Sequence, residues 1–298
     1  MTPMTTQTDD RRQTAHHALP DAYAHCTALV REHDHDRYIA ALYAPESQRP
    51  ALFALYAFSH EIARVRSAVS EPLPGEVRMQ WWRDLLEGEE KGQAQSHPVA
   101  AALLDAVARY RLPIAPLTGL IEARIFDLYD DPMPSLRDLE GYAGETSSAL
   151  IRLASIVLAN GRDPGGAAAC GHAGVAYALC GLMRAFPWHA AAGQVYLPAD
   201  ILSRNGVTRD DIVSGRGGPG VLYSLKELRE IARKHLKKLR DLRETVPSAV
   251  APAFLPSALV EPYLKRMERG GYDPYRTIIT MPAWQRQWAV WRAAKVAG

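Results

Sequence analysis

The apolar positions of this chain recur mostly at steps of three and four, and runs that alternate residue by residue are scarce. Such spacing lays apolar side chains along one stripe of a helix. Residues 100–110 (AAALLDAVARY), 117–128 (LTGLIEARIFDL) and 142–159 each carry a stripe of this kind. Breakers separate the stretches: Pro72, Pro74 and Gly75; Pro113; Pro132 and Pro134; the turn-rich run from Asn160 to Gly166; and the glycines between 215 and 220. Ser135 with Asp138 reads as a helix start, a capping hydroxyl followed by an acid. No segment repeats. The pattern predicts one all-α domain over 21–282, an unstructured polar tail over 1–20, and a Trp-rich helix or tail over 283–298.

Two predicted helices have unusual surfaces. Residues 226–244 hold eight Lys or Arg against four Asp or Glu, with Leu225, Leu228, Ala232, Leu236, Leu239 and Leu242 as the apolar stripe. A packed helix with a solvated basic face is the plainer reading; contact with a membrane surface is the sharper one. Near the C-terminus, Trp284, Trp288 and Trp291 share a helical face among Arg286, Arg292 and Lys295. Three indoles in register are expected to dock on the body of the fold. The alternative is a membrane-interface or partner-binding helix.

Composition narrows the function classes. The net charge of +2 is too small to argue for a nucleic-acid partner. Cys26, Cys170 and Cys180 are too few and scattered for a disulfide framework or a zinc site, so a reducing, cytoplasmic setting is expected. No long uncharged apolar run predicts a membrane-spanning helix. The polar N-terminus lacks the apolar core of a secretory signal. The glycines at 215–220 lack the Lys-Ser/Thr that completes a phosphate-binding loop.

Candidate chemistry concentrates in two segments, 55–66 (LYAFSHEIARVR) and 182–198 (LMRAFPWHAAAGQVYLP). A helix over about 49–69 would bring Tyr56, His60, Ala63 and Ser67 onto one face. In the second segment Pro187 should end a helix near Phe186. Both segments resemble the active-site segments of the squalene/phytoene synthase family, where aspartate-rich motifs hold magnesium and a prenyl diphosphate. Laid on this chain, the family's acids fall at Ala63, Arg64, Ser67, Ala185, Trp188 and His189. Arg184, Gly193, Tyr196, Leu197 and Pro198 keep the family pattern, while Ala191 and Gln194 stand at its basic positions. Residues 61–71 (EIARVRSAVSE) and 78–82 (RMQWW) further resemble a degenerate branch of the family, related to the mitochondrial complex I assembly factor.

The resemblance implies an isoprenoid-synthase (terpenoid synthase-like) helical bundle around a central, mostly apolar cavity. Tyr56, His60, Arg64, Tyr142, Arg184, His189 and Tyr196 are its implied ligand-binding residues, with no catalytic residue and no metal. Ionising an allylic diphosphate needs a Lewis acid at the leaving oxygen, worth several kcal/mol. Losing about 5 kcal/mol there slows the reaction several thousand-fold. Magnesium wants oxygen ligands, and five of the six residues at the acid positions have no carboxylate or imidazole to offer; His189 is a poor magnesium ligand.

The resemblance therefore implies a non-catalytic protein that binds an isoprenoid or lipid-like molecule, or a partner in respiratory complex I assembly. It would be cytoplasmic or peripheral to the inner face of the membrane. One alternative is an active prenyltransferase that joins two prenyl diphosphates with magnesium. Another is a peripheral membrane scaffold. Asp127, Asp130 and Asp131 form an acid cluster, in which Asp127 and Asp131 could share a cation; a helix end and turn is the simpler reading. A satisfied, neutral core histidine is the plainer reading of His60, against a ligand contact.

Overall fold

The computed structural model describes residues 6–89 and 96–297, with the side chains of 6–18 and 297 excepted. The chain folds as fifteen α-helices among the described residues, joined by short 3-10 turns, with no strand. The first eight are α1 (Thr6–His33), α2 (His35–Ala41), α3 (Arg49–Arg64), α4 (Pro72–Glu87), α5 (Pro98–Tyr110), α6 (Ala115–Ile125), α7 (Leu136–Ala143) and α8 (Ala149–Leu158). There follow α9 (Ala167–Arg184), α10 (Phe186–Ala191), α11 (Ala199–Arg204), α12 (Arg209–Val213), α13 (Gly218–Asp241), α14 (Val260–Arg266) and α15 (Ala283–Ala297). Helix begins at Thr6, inside the stretch expected as an unstructured tail, where Gln, Arg and Ala favour helix. Residues 1–5 lie outside the described residues.

Helix α3 is the axis of the first half. Its residues 51–59 are buried without interruption, as befits a helix surrounded on all sides. It packs against α1, α5 and α8. The second half gathers around α9, which packs along α13. A single π-helical turn, Gly144–Ser148, joins α7 to α8. Gly174 of α9 crosses this turn so closely that a Cβ would land on Ser148 N and Cα. Only glycine permits that approach.

One expected helix end shifted, and the one expected near Phe186 falls at Arg184. Helix α3 stops at Arg64, five residues before the expected end at 69, and Arg66–Ala68 continues as 3-10 turn. Ser67 therefore leaves the face shared by Tyr56 and His60 and is exposed. Helix α9 stops at Arg184, and Pro187 sits in the first turn of α10. There its missing N–H costs no hydrogen bond.

The basic helix is packed as expected: Leu225, Leu228 and Ala232 of α13 are buried. The tryptophan helix overturns the expectation of docking. Trp284, Trp288 and Trp291 are 67%, 54% and 43% exposed. Small residues on the opposite side hold α15 to the body. Val290 is buried, and Ala289, Ala293 and Ala294 pack beside it. The period of three and four named the residues that share a face, and the small side chains took the inner one. No described helix is long and apolar enough to cross a membrane.

Candidate functional site

Three of the seven implied ligand-binding residues meet at one place. Tyr142 is the penultimate residue of α7, Tyr196 follows α10, and His189 lies on α10. Their centre is Asp127, in the 3-10 turn Phe126–Leu128 after α6. Tyr196 donates its hydroxyl to Asp127 Oδ1 at 2.7 Å, and Tyr142 donates to the same carboxylate at 2.9 Å. Arg124 Nη1 donates to Asp127 Oδ2 at 2.9 Å and to Tyr142 Oη at 2.7 Å. Gln194 Nε2 donates to the Asp127 carbonyl at 2.9 Å. The His189 ring lies 4.6 Å from that of Tyr196.

The electrostatics follow from burial. Asp127 is 5% exposed, so its charge is held by one guanidinium and two phenols in place of water. Burial, then the Asp127 charge, pushes the Tyr196 hydroxyl far above the ordinary tyrosine range. Tyr142 is pushed up chiefly by burial as well. Both phenols therefore stay protonated and act as donors. Burial lowers His189 to about 4, so its imidazole is neutral near pH 7.

Arg184 belongs to a second cluster. Its Nη1 pairs with Asp36 Oδ2 at 3.3 Å, and Arg286 Nε of α15 pairs with Asp36 Oδ1 at 3.0 Å. Tyr263 donates to Asp36 Oδ1 at 3.1 Å, and the Arg184 guanidinium lies 3.8 Å over the Tyr263 ring. Burial raises the Asp36 carboxyl above the ordinary carboxylate range, while Arg184 and Arg286 oppose that shift.

The remaining three face elsewhere. Tyr56 lies beneath Arg37 at 5.6 Å, with Tyr177 4.9 Å from the same guanidinium. His60 stacks on His33 of α1 at 4.6 Å, and its buried Nε2 has no hydrogen-bond partner. Arg64 is exposed and lines a surface pocket of about 350 Å³ with Arg78, Trp81 and His97. Tyr56, His60, Tyr142 and Arg184 thus engage four separate sets of internal partners. The apolar gap beside Tyr196 and His189, walled by Leu139, Leu179, Phe186 and Leu225, measures about 20 Å³. That is room for about one water molecule.

Magnesium does not fit this donor set. Ala63 and Ala185 offer no ligand, Trp188 is 53% exposed, and the Ser67 hydroxyl donates to the Arg64 carbonyl at 2.9 Å. Both oxygens of Asp127 are taken by Arg124, Tyr142 and Tyr196. Asp130, exposed, pairs with Arg66 at 3.3 Å, so the acid cluster at 127–131 is divided between inside and outside. Among the described residues no group of three or more His, Cys, Asp or Glu stands close enough to hold a metal. The arrangement holds the Asp127 charge in fixed hydrogen bonds to one guanidinium and two phenols.

Sequence reading missed Arg124, Asp36, Tyr263 and Arg286, and placed Asp127 at a helix end. That placement is right, since α6 ends at Ile125, but it says nothing of burial. The available signal was Arg124 three residues before Asp127, the spacing of a helical ion pair.

Comparison with known proteins places these features in context. The squalene/phytoene synthase family model matches residues 30–292. NADH dehydrogenase (ubiquinone) complex I, assembly factor 6, of Rattus norvegicus is 34% identical over 255 residues, covering 86% of this chain and 76% of the relative. The 15-cis-phytoene synthase of Synechococcus elongatus is 23% identical over 286 residues, covering 90% and 91%. Squalene synthase HpnC from Alicyclobacillus acidocaldarius superposes with a TM-score of 0.72 at 23% identity, over 86% of this chain and 96% of that one.

Proposed function

Because this chain belongs to the squalene/phytoene synthase family, we propose that it is a non-catalytic member acting in the assembly of respiratory complex I. One observation carries the loss of chemistry. The nearest buried carboxylate to Tyr196 and His189, that of Asp127, is consumed by Arg124, Tyr142 and Tyr196 and has no oxygen left for a metal. Family acid positions occupied by Ala63, Arg64, Ser67, Ala185, Trp188 and His189 support the same reading. A diphosphate could still be bound by arginine alone, but ground-state binding leaves the barrier to ionisation in place.

The assembly role rests on the relatives named for it, one of them 34% identical across most of this chain. A helical bundle whose charges are paired internally leaves its outer surface for a partner. The test is deletion of the gene in its host, followed by native electrophoresis and NADH–quinone activity. The proposal requires a lower yield of mature complex I, restored by the wild-type gene. Normal complex I in the deletion strain refutes it.

A bound isoprenoid or lipid-like molecule is the second reading, favoured by the apolar walls Leu139, Leu179, Phe186 and Leu225. It requires those walls to separate, because the gap between them is about 20 Å³.

A further inference from the structure

Helix α15 is inverted relative to an ordinary surface helix. Its small residues face the body, and its three indoles face out. Trp288 and Trp291 stack on each other at 5.0 Å. With Trp284 they border an open trough of about 750 Å³ whose far side is Ile39, Leu42 and Tyr43. Leu42 and Tyr43 are themselves 42% and 40% exposed, and Val296 at the end of the helix is 59% exposed. Exposed apolar groups on soluble surfaces are usually scattered singly, so an aromatic cluster of this kind marks a contact surface.

The charge pattern says what the surface contacts. Helix α15 carries Arg286, Arg292 and Lys295 and no acid. Arg286 is committed to Asp36. Arg292 and Lys295 are exposed and make no ion pair among the described residues. Arg240, in the last turn of α13, and Arg243, in the 3-10 turn after it, line a second groove with Ala293 and Val296. Asp241 and Glu244 are the acids beside those two arginines.

We propose that the outer face of α15, together with Leu42 and Tyr43, seats this protein on an anionic lipid bilayer. Indoles suit that boundary because an apolar ring and an N–H can each meet their own medium. The flanking cations meet anionic headgroups. A second copy is a poorer occupant. A two-fold contact through this face would bring Arg292 and Lys295 of both copies together, with no carboxylate on the helix to meet them. The proposal is independent of the assembly role.

Truncating the chain before Trp284 would also remove Arg286 and Val290 from the body, so point substitutions are the sound probe. The full chain is floated with phosphatidylglycerol–phosphatidylcholine vesicles and with phosphatidylcholine alone. Wild type should float with the anionic vesicles and less with the neutral ones. Replacing all three indoles (Trp284→Ser, Trp288→Ser, Trp291→Ser) should weaken binding roughly tenfold or more at an unchanged melting temperature. Arg292→Gln with Lys295→Gln should abolish the preference for anionic vesicles, as should high salt. Three results overturn the proposal: no flotation of wild type, flotation unaffected by the triple substitution, or a dimer that the triple substitution dissociates without vesicle binding.

Discussion

Tyr196 and Asp127, 69 residues apart in sequence, are joined by a hydrogen bond of 2.7 Å between a buried phenol and a buried carboxylate. The bond ties the segment after α10 to the turn after α6. Tyr142, arriving from α7, closes the same carboxylate from another side. Three chain segments are thus bound to one another through one carboxylate.

That cluster should behave as one unit when broken. Asp127→Asn removes the charge facing Arg124 and leaves a buried guanidinium without its anion, at a cost of about 3 kcal/mol. Tyr196→Phe removes one donor and should cost about 1 kcal/mol. The double substitution should cost less than the sum, because the phenol's partner is already altered. Urea unfolding of the four proteins measures the coupling.

Asp36 anchors both Arg184 and Arg286, so Asp36→Asn should destabilise more than Arg184→Met. With Arg184 gone, Arg286 Nε still sits 3.0 Å from the carboxylate. The expected costs are about 3 kcal/mol and about 1 kcal/mol. Protease cleavage ahead of α15 should accelerate in Asp36→Asn, because Arg286 is then the charge left without a counter-ion.

Gly174→Ala tests the crossing of α9 over the π turn. The added methyl would meet Ser148 backbone, which no side-chain rotation relieves. A loss of about 2 kcal/mol or more is expected. Gly171→Ala on the same helix has open space and should be neutral or slightly stabilising. Thermal unfolding of the two variants separates packing from propensity.

Stability should fall on the acid side. Burial lowers His189 from 6.5 to about 4 in the fold. Burial likewise lowers His60, His97 and His172. Below pH 6.5 the unfolded chain takes up protons that folded His189 refuses until pH reaches about 4. Its contribution is therefore complete above 6.5 and lost as pH falls toward 4. His189→Gln should remove on the order of 3 kcal/mol of the acid-side loss. Denaturant midpoints across that window report it.

The helices were legible because period and breakers agree; the stripe at 100–110 lies in α5, and that at 117–128 runs through α6 into the 3-10 turn after it. The pairing inside the site was not. Tyr196 stood out by its Tyr-Leu-Pro context, but its acceptor lies 69 residues away. A carboxylate beside a helix end reads as solvent-facing until the fold shows what covers it. Residues 284, 288 and 291 were legible as one face. Which face turned inward depended on the small residues opposite, a comparison of volumes that periodicity leaves out.

The central proposal is that this chain, unlike the synthases that share its fold, couples no prenyl diphosphates. Purified protein with magnesium and farnesyl or geranylgeranyl diphosphate, assayed for released diphosphate and for coupled hydrocarbon, tests it most directly. The account predicts release and product no greater than in a protein-free control. A squalene- or phytoene-like product at enzyme-like turnover would contradict it.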